Sequence, residues 1–539
     1  MELTKRKFLA GVAAVAASQR ISVGLAQEYK AGGELPALVM ESYPDAMTVE
    51  IVRLYARELE KLGIRVVQRP LNYGQILGKV YGQKNLAMAM MGLGFPEDRL
   101  DPDFFIRAVY ATGGSFNIPH YSNPEYDKYA QAQLTAQTKQ ARTEALHAAQ
   151  KIFADELPSW PVCSRDAINP VNTELFKNYK PSRGFGLECY HVAPYLEVEP
   201  TGSVREINVA STYRLSSAHL FTERSANGRG YLRFIYDTFL RYDGDLNLIP
   251  WAAEKVNQVD STTYEIVLRS GMKWHDGQPV TIEDAKFTFD YLLKWNPPLW
   301  QPLISPIASA EISGDRTLRV KLKSPSATFT TISLAQITII PKHVWEKAGT
   351  TSPLDWDAPG TPGGMIGSGP FKFVRFEKDV DCHIAAYREH WTGGPKIDGV
   401  HYIQAASIEQ MVGGMEAGTI HVIGDGITIV EGKRLAQKPN IKLLTTETGT
   451  IVSFWMDSSK APFNNRLFRH ALYHAMPKAM IAEIAVGGAS TPARRTPLPP
   501  LMKEWIPDNT PGDEYDIQKA QRLLAQAGFK RQGPRLIAP

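Results

Sequence analysis

The chain has 539 residues and a mass of 59.9 kDa, which is enough to bury a large core and to form more than one domain or lobe. Hydrophobic residues make up 43% and charged residues 22% of the sequence, as in ordinary soluble globular proteins. The 60 basic and 56 acidic residues leave a formal charge of +4 and are mixed along the chain. Because no basic block or stripe occurs, the sequence argues against a nucleic-acid-binding surface.

The first residues have the organisation of a secretory signal peptide. A basic segment at 5–7 is followed by a short apolar segment at 8–18 and by small residues near Ala26. We therefore expect a signal peptide over residues 1–26, cleavage near Ala26 and a periplasmic mature protein. An amphipathic N-terminal helix is the alternative. Residues 4–9 resemble a twin-arginine (Tat) motif with lysine at one arginine position, which leaves the Sec and Tat export routes both open.

Three cysteines occur, namely Cys163, Cys189 and Cys382. In an oxidising compartment the pair closest in sequence, Cys163 and Cys189, could form a disulfide, and three buried free thiols are the alternative. None of the three has a Cys or His neighbour at the spacing of a metal site. The sequence predicts no metal and no cofactor.

The first part of the chain alternates between strand and helix patterns, which predicts an α/β domain. A helix is predicted at 46–62, where Gly63 ends it, and a long helical stretch at 125–157, where Pro158 ends it. The predicted strands of this part are 35–41, 64–68 and 85–91.

A polar, turn-forming break at 199–203 precedes the second part of the chain. The segment 264–345 is rich in strands, and a Gly/Pro cluster lies at 360–369. Further strands are predicted at 206–211 and 317–322, and helices at 231–240, 466–485 and 517–527. Both ends of the chain look like a turn followed by one short strand, 35–40 at the head and 534–538 at the tail. We therefore expect these two strands to lie close together.

The stretch YEIVLRSGMKWHDGQPVTIED, residues 264–284, closely resembles the signature of the family 5 (oligopeptide/dipeptide/nickel class) solute-binding proteins that serve ABC importers. In that family the signature lies near the start of the mature protein, whereas 263 residues precede it here. Within the signature we expect Trp274 and His275 to be core and turn residues, and Thr281 to cap a helix together with Asp284.

The resemblance extends over nearly all of the mature chain, in two blocks of swapped order. Residues 205–530 resemble the first two-thirds of such a protein, and residues 35–197 resemble its last third. The first block carries YDTFL (236–240), LIPWAAE (248–254), IPKH (340–343), GSGPFK (367–372), YREHW (387–391), GPKID (394–398) and APFNNRLFR (461–469). The second block carries LGI (62–64), YSNPEYD (121–127) and AAQKI (148–152).

The swapped order makes the chain look like a circular permutant, in which the short segment 199–203 joins the family's usual termini. Five residues span at most about 17 Å, and permutation is tolerated where termini lie close together. A fusion of two truncated proteins, or an assembly error, is the rival explanation.

The resemblance implies an α/β, two-lobed fold of the type II periplasmic-binding-protein class, with mixed sheets and a ligand cleft between the lobes. In the permuted order, lobe II would comprise 30–160 and 463–539, and lobe I would comprise 161–200 and 205–462, with a linker at 201–204. The implied function is to capture a peptide or another small polar solute by hinge closure and to deliver it to the transmembrane permease subunits of an ABC importer. The protein would be a monomer.

The resemblance also implies three ligand-binding loops. One follows the opening strand and contains Tyr213 and Phe221. A second contains Trp455 and Asp457, where Trp455 could instead pack between the lobes. The third spans 92–99 with Gly94, Phe95, Glu97 and Asp98, and in peptide-binding relatives the matching loop carries an acidic residue for the α-amino group of the ligand. Glu97 or Asp98 could take that role, or both could be solvated loop charges.

No catalytic motif is present: the sequence lacks GxSxG, HExxH, a P-loop and a GxGxxG after a strand. His470 and His474 have the i,i+4 spacing of a helical metal pair, but ordinary helix-face residues explain them better. We therefore expect a binding protein and not an enzyme. A secreted enzyme that reuses the fold, and a sensor or chaperone-like binder without an importer, are the alternatives.

Overall fold

The computed structural model describes residues 29–83, 86, 88–188, 191–212, 217–223, 226–356, 365–512 and 515–539. The predicted signal peptide, Cys189 and Tyr213 lie outside the described residues. Cys163 is a buried free thiol, and burial raises its pKa to about 11.

The strands are β1 Leu38–Ser42, β2 Val66–Pro70, β3 Met88–Leu93, β4 Ser159–Asn172, β5 Phe176–Lys177, β6 Glu199–Pro200, β7 Glu206–Ser211, β8 Leu240–Tyr242, β9 Leu248–Pro250, β10 Ala253–Gln258, β11 Thr263–Leu268, β12 Ile307–Gly314, β13 Thr317–Leu322, β14 Phe371–Glu377, β15 Asp381–Ala386, β16 Gly399–Gln404, β17 Val422–Ile423, β18 Ile441–Met456, β19 Ser490–Pro492, β20 Lys530–Gln532 and β21 Arg535–Ile537.

The α-helices are α1 Ala46–Lys61, α2 Tyr73–Leu77, α3 Pro124–Thr135, α4 Lys139–Glu156, α5 Ala193–Glu197, α6 Ala226–Ile235, α7 Ile282–Trp295, α8 Gln301–Ile304, α9 Lys342–Trp345, α10 Ile408–Glu416, α11 Ile429–Leu435, α12 Arg466–His474, α13 Lys478–Met480 and α14 Ile517–Gln526. Short 3-10 or π turns lie at Gly78–Gln83, Glu97–Arg99, Phe104–Ala108, Phe329–Leu334, Glu346–Ala348, Ile481–Ala485 and Pro500–Trp505.

A mixed sheet runs through the whole molecule in the order β14-β15-β16-β7-β17-β4-β18-β3-β1-β2, with β19 also paired to β4. Parallel pairs lie on each flank, β16–β7–β17 on one side and β3–β1–β2 on the other. The two flanks are joined by β4 and β18, which are long and antiparallel to each other. A second, antiparallel sheet has the order β10-β11-β13-β12.

β4 runs from one large apolar core to the other, and β18 runs from a smaller core to the first large one. The first core contains Trp160 at the start of β4 and Phe454 at the end of β18, together with β1, β3, α1, α12 and α14. The second core contains Val171 at the far end of β4, together with β7, α6, α7 and the antiparallel sheet. A smaller core around α10 and α11 includes Ile441 at the start of β18. The molecule is therefore a two-lobed α/β protein, as the sequence predicts.

The two ends of the described chain meet in the first core. The Leu35 amide donates a hydrogen bond to the Leu536 carbonyl (2.8 Å), and the Gly32 amide donates one to the Ala538 carbonyl (3.1 Å). Leu35, Leu536 and Ala538 are all buried there. The expectation that 35–40 and 534–538 lie together is confirmed.

Three predicted helices differ in extent from the observed ones. The stretch 125–157 is two helices, α3 and α4, because Thr138 caps α4 by accepting a hydrogen bond from the Ala141 amide (3.1 Å). The helix predicted at 231–240 instead ends at Ile235, and Leu240 opens β8. The stretch 466–485 is interrupted at Pro477, which has no amide hydrogen to donate within a helix.

The signature 264–284 forms scaffold. Trp274 is fully buried in the second core, and the His275 ring contacts the Gly369 carbonyl (Nε2 to O, 2.9 Å). Thr281 and Asp284 form a capping box at the start of α7. The expected roles of these residues are confirmed.

Gly63 allows a test of how the chain ends are joined. It follows α1 with φ +79°, and its carbonyl accepts a hydrogen bond from the Leu536 amide (3.0 Å). A Cβ at this position would lie 2.9 Å from the Arg535 carbonyl carbon. Gly63→Ala therefore suffers both backbone strain and a clash with β21, and we expect it to lower the free energy of unfolding by about 2–4 kcal/mol.

Gly113→Ala is the matched control, because Gly113 has φ +75° and a Cβ added there would have no atom within 4 Å. It should cost about 1 kcal/mol from backbone strain alone. Denaturant unfolding followed by circular dichroism measures both variants. An equal decrease in the free energy of unfolding of the two variants would show that the clash with β21 adds nothing to the cost of Gly63→Ala.

Candidate functional site

The loop after β3 packs against β18 in the ladder that β18 forms with β4. The Phe95 ring is buried and lies 6.1 Å, centroid to centroid, from both Phe105 and Phe185. It packs directly over Gly449 of β18, where a Cβ would come within 2.2 Å of the ring. The Gly94 carbonyl accepts a hydrogen bond from Arg99 Nη1 (2.7 Å). These contacts position the two acidic residues that follow.

Those acidic residues reach across to the other lobe. Glu97, only 7% exposed, forms an ion pair with Arg233 of α6. Asp98 pairs with Arg229 of the same helix at 3.7 Å, with both side chains about one-third exposed (31% and 30%). We call Glu97, Asp98, Arg229 and Arg233 the interlobe charge cluster, because the loop belongs to the first core and α6 to the second.

Burial governs the charges around this cluster. Loss of water raises the pKa of Glu97, while Arg233 and Arg241 oppose that rise. Burial lowers the pKa of Arg241 to about 10 and that of His191 to about 3. His191 is therefore neutral at physiological pH, with its Nε2 3.9 Å from Glu97 Oε1. The guanidinium of Arg233 is the direct partner of Glu97.

Trp455 and Asp457 lie inside the first lobe, apart from this cluster. The Trp455 side chain, 1% exposed, donates from Nε1 to the Met91 carbonyl (3.2 Å) and stacks on Tyr110 (6.1 Å). Asp457 pairs with Lys460 (2.8 Å) and His120 (3.1 Å). Burial opposes its ionisation, but hydrogen bonds from Lys460, Ser459 and His120 lower its pKa overall. Both side chains make structural contacts.

Phe221 lies in the second core. Its ring packs edge-on against Trp345 at 4.8 Å and lies 5.3 Å from Trp300. The structure thus brings together Gly94, Phe95, Glu97 and Asp98 of the predicted site, and it places Phe221, Trp455 and Asp457 elsewhere. Tyr213 is outside the described residues.

A second polar group, which the sequence reasoning missed, forms where β17 ends. Asn169 of β4 organises it: its side-chain amide donates to the carbonyls of Ile423 (3.0 Å) and Gly424 (2.9 Å), and its Oδ1 accepts from the Leu187 amide (3.0 Å). Asn169 therefore holds segment 182–188 beside segment 423–426. The residues that follow the two bridged positions, Glu188 and Asp425, are carboxylates.

Two more carboxylates and one arginine lie on β4 and β18. Asp166 of β4 lies opposite Glu447 of β18 in the ladder, and Arg165 precedes Asp166. We call Asp166, Glu188, Asp425 and Glu447, together with Arg165, the hinge carboxylate group. It lies on the long strands and at the carboxyl end of β17, which runs parallel to β7.

Burial suppresses ionisation in this group. It raises the pKa of Asp425 to about 6, against hydrogen bonds from Ser211 and the Thr212 amide. Burial and the nearby Asp425 raise the pKa of Glu188, and burial and Glu447 raise that of Asp166. The available signal in the sequence was Gly424-Asp425-Gly426, a polar turn directly after the apolar β17. The carboxyl ends of parallel strands are where α/β proteins bind ligands.

An open groove of about 540 Å³ lies at the other end of β7 and is lined by Ser203, Val204, Arg205, Glu206, Asn208, Asp398, Gly418, Thr419 and His421. It lies at the end of β7 opposite to Asp425 and includes part of the predicted linker. Within the described residues, no three His, Cys, Asp or Glu side chains are placed to hold a metal. Among the described helices, none combines the length and apolarity needed to cross a lipid bilayer.

Comparison with known proteins gives consistent matches. The oligopeptide-binding protein AppA of Bacillus subtilis is 26% identical over 300 residues, covering 55% of this chain and 54% of the relative. The heme-binding protein A of Haemophilus influenzae is 27% identical over 292 residues, covering 50% and 52%. The chain thus spans about half the length of the curated relatives it matches.

A solved structure of similar fold is the periplasmic oligopeptide-binding protein of an oligopeptide ABC transporter from Thermotoga maritima. It has a TM-score of 0.51 and 24% identity, and it covers 61% of this chain and 63% of that one. The model of the middle region of the bacterial extracellular solute-binding proteins, family 5, matches residues 247–538. The chain belongs to the family 5 bacterial extracellular solute-binding proteins.

Proposed function

We propose that this protein is the periplasmic substrate-binding component of an ABC importer, and that it captures a peptide or another small polar solute between its lobes. The observation that carries the proposal is the arrangement of two separate cores joined by β4 and β18, with buried charges where the lobes meet. Members of family 5 are binding proteins that act in the periplasm or outside the cell. The relatives named above bind oligopeptides or heme, so the family leaves the ligand class wide.

Hinge closure is the mechanism that this arrangement supports. The β18 ladder shifts register between Glu447 and Ile451, next to Gly449, and such a bulge lets a strand bend. Between the two proposed lobes, the Thr331 hydroxyl donates a hydrogen bond to Asp101 (2.8 Å), and the Ala327 amide donates one to the Leu134 carbonyl (2.7 Å). Together with the interlobe charge cluster, these contacts favour a closed conformation. A bound solute would add to them, and the closed state would dock on the permease.

The lobe boundaries and the permutation belong to the same proposal. Lobe II would consist of 30–160 and 463–539, because both segments contribute to the first core. The Tyr55 hydroxyl donates to the Leu472 carbonyl (2.7 Å), and Gln150 donates to the Trp505 carbonyl (2.6 Å). Lobe I would consist of 161–200 and 205–462, with the linker at 201–204. The family model matches residues 247–538, which include segment 463–539 of the proposed lobe II but not segment 30–160. Segment 30–160 would complete this lobe.

Removal of residues 30–160 tests the shared lobe. Without β1, β3 and α1, the first core loses most of its sheet. We therefore expect that, in the deletion variant, the part of this core formed by segment 463–539 no longer folds and shows no cooperative unfolding transition. Denaturant titration with circular dichroism, compared with the chain lacking only residues 1–28, measures the effect. A remainder that unfolds cooperatively with undiminished stability would favour a fusion of two truncated proteins.

Solute binding is tested directly by native mass spectrometry of protein purified without denaturation. We expect a small polar solute bound at one molecule per chain. When the solute is removed by unfolding and refolding and then added back, small-angle scattering should show a smaller radius of gyration, because the lobes close. A protein that retains no solute and does not become more compact with the extracted small molecules of its host would contradict the proposal.

The interlobe charge cluster makes a separate prediction. Arg233→Met leaves Glu97 buried without its partner, so we expect it to lower the free energy of unfolding by about 3 kcal/mol. The double variant Glu97→Gln with Arg233→Met should recover most of that loss. Arg229→Met is the matched control: the Asp98–Arg229 pair is about one-third exposed, so its loss should cost less than about 1 kcal/mol. Equal costs for Arg233→Met and Arg229→Met, measured by denaturant unfolding, would refute the special role of Glu97.

A further inference from the structure

The hinge carboxylate group contains a buried carboxylate that is only half satisfied. Asp425 is 7% exposed. Its Oδ1 accepts a hydrogen bond from the Thr212 amide (3.2 Å), whereas its Oδ2 is buried and accepts none from the described residues. A buried carboxylate oxygen without a partner is costly. Such an oxygen at the carboxyl end of a sheet strand, beside the hinge, is suited to a ligand that supplies the missing donor.

The surroundings of Asp425 are acidic. Glu188 lies beside it, Asp166 and Glu447 face each other on the adjoining ladder, and Arg165 is the only basic side chain among the described residues of the group. The charge of Asp425 raises the pKa of Glu188, and the guanidinium of Arg165 acts to lower the pKa of both carboxyls. Asp425 Oδ2 and the buried Nε of Arg165 both lack a hydrogen-bond partner among the described residues, so no hydrogen bond joins Arg165 to Oδ2, although the charge of Arg165 opposes the rise in the pKa of Asp425.

Glu97 differs from Asp425 because it already has a charged partner. Glu97 is one of the two acids, with Asp98, that the family resemblance offers for an amine, but Glu97 is already paired with Arg233. An ammonium ion approaching Glu97 would have to displace a guanidinium from a buried pair. At Asp425 Oδ2 no guanidinium needs to be displaced, and the same ammonium would satisfy this oxygen and reduce the repulsion from Glu188.

We propose that the hinge carboxylate group binds an organic cation of the captured solute, a primary ammonium or a guanidinium, with Asp425 and Glu188 as its partners. The inference rests on the proposed function and names the ligand chemistry of that cleft. A metal ion fits less well, because the described residues contain no three-ligand group able to hold one. A solute presenting only anionic groups would meet an excess of like charge.

Binding of a cation should be linked to pH. Glu188 and Arg165 interact electrostatically with Asp425, Ser211 and the Thr212 amide hydrogen-bond to it, and burial raises its carboxyl pKa to about 6. Below that pH the Asp425 carboxyl is protonated, and a cation that binds there must displace the proton. Above that pH the carboxyl is ionised and can pair with the cation directly. Affinity should therefore rise severalfold between pH 5 and pH 7.5, with a proton released on binding at the lower pH.

The test uses the full protein and the solute that native mass spectrometry identifies. We expect this solute to carry an ammonium or guanidinium group. Calorimetry should show binding at least about tenfold weaker in Asp425→Asn and in Glu188→Gln at pH 7.5. The pH dependence should be lost in Asp425→Asn. Asp290→Asn is the control, because Asp290 is an exposed acid on α7 paired with Lys286, and it should bind as the wild type does.

A folding readout separates recognition from structure. Solute-free Asp425→Asn should unfold at a higher temperature than the wild type at pH 7.5 and at nearly the same temperature near pH 4. The reason is that the raised pKa disfavours the folded state only where the carboxyl ionises. If Asp425→Asn folds poorly, Glu188→Gln carries the test.

The outcomes are distinct. A bound solute without a cationic group, or variants that bind within twofold of the wild type, would overturn this inference while leaving solute capture intact. A protein that retains no solute and does not close would overturn both.

Discussion

The antiparallel pairing of β4 with β18 is the constraint on which the rest of the structure depends. β4 runs from the first core to the second, and β18 runs from the smaller core, past Leu444 at the second core, to the first, so the same hydrogen-bonded ladder joins the two lobes and limits how they can move. The largest register shift of the ladder falls between Glu447 and Ile451. Bending is therefore concentrated next to Gly449, which the Phe95 ring covers. The same short stretch therefore contains the proposed hinge and the surface on which the Phe95 ring packs.

The interlobe charge cluster and the hinge carboxylate group contain two different kinds of buried charge. Glu97 and Arg233 neutralise each other across the lobes, so their contribution is to the closed conformation. Asp425 has no such partner among the described residues, and burial instead raises its pKa toward neutrality. A paired charge stabilises an arrangement of the protein itself, whereas an unpaired one favours any ligand that can complete it. In this proposal, Glu97 stabilises lobe closure, whereas Asp425 binds the ligand.

The sequence predicts much of the local structure because the signals are local. Gly63 ends α1 with positive φ, and Thr281 with Asp284 caps α7, each as the residue pattern indicates. The break between α3 and α4 could not be read in the same way. Residues 136–138 contain no Pro or Gly, and only the cap at Thr138 marks the new helix. Competition between continuing a helix and capping a new one is decided by packing, which sequence periodicity does not contain.

The site was harder to predict because its partners are distant in sequence. Glu97 could be recognised as an acid in a binding loop, but nothing near it indicated that Arg233 would neutralise it. Glu188 and Asp425 are adjacent only because the Asn169 side chain hydrogen-bonds to both segments, and an asparagine in the middle of a strand gives no hint of that role. Gly186 is equally necessary, since a Cβ there would lie 2.3 Å from Asn169 Oδ1. The Asn169 side chain and the absence of a side chain at Gly186 therefore place Glu188 near Asp425. Neither Asn169 nor Gly186 is proposed to contact the ligand.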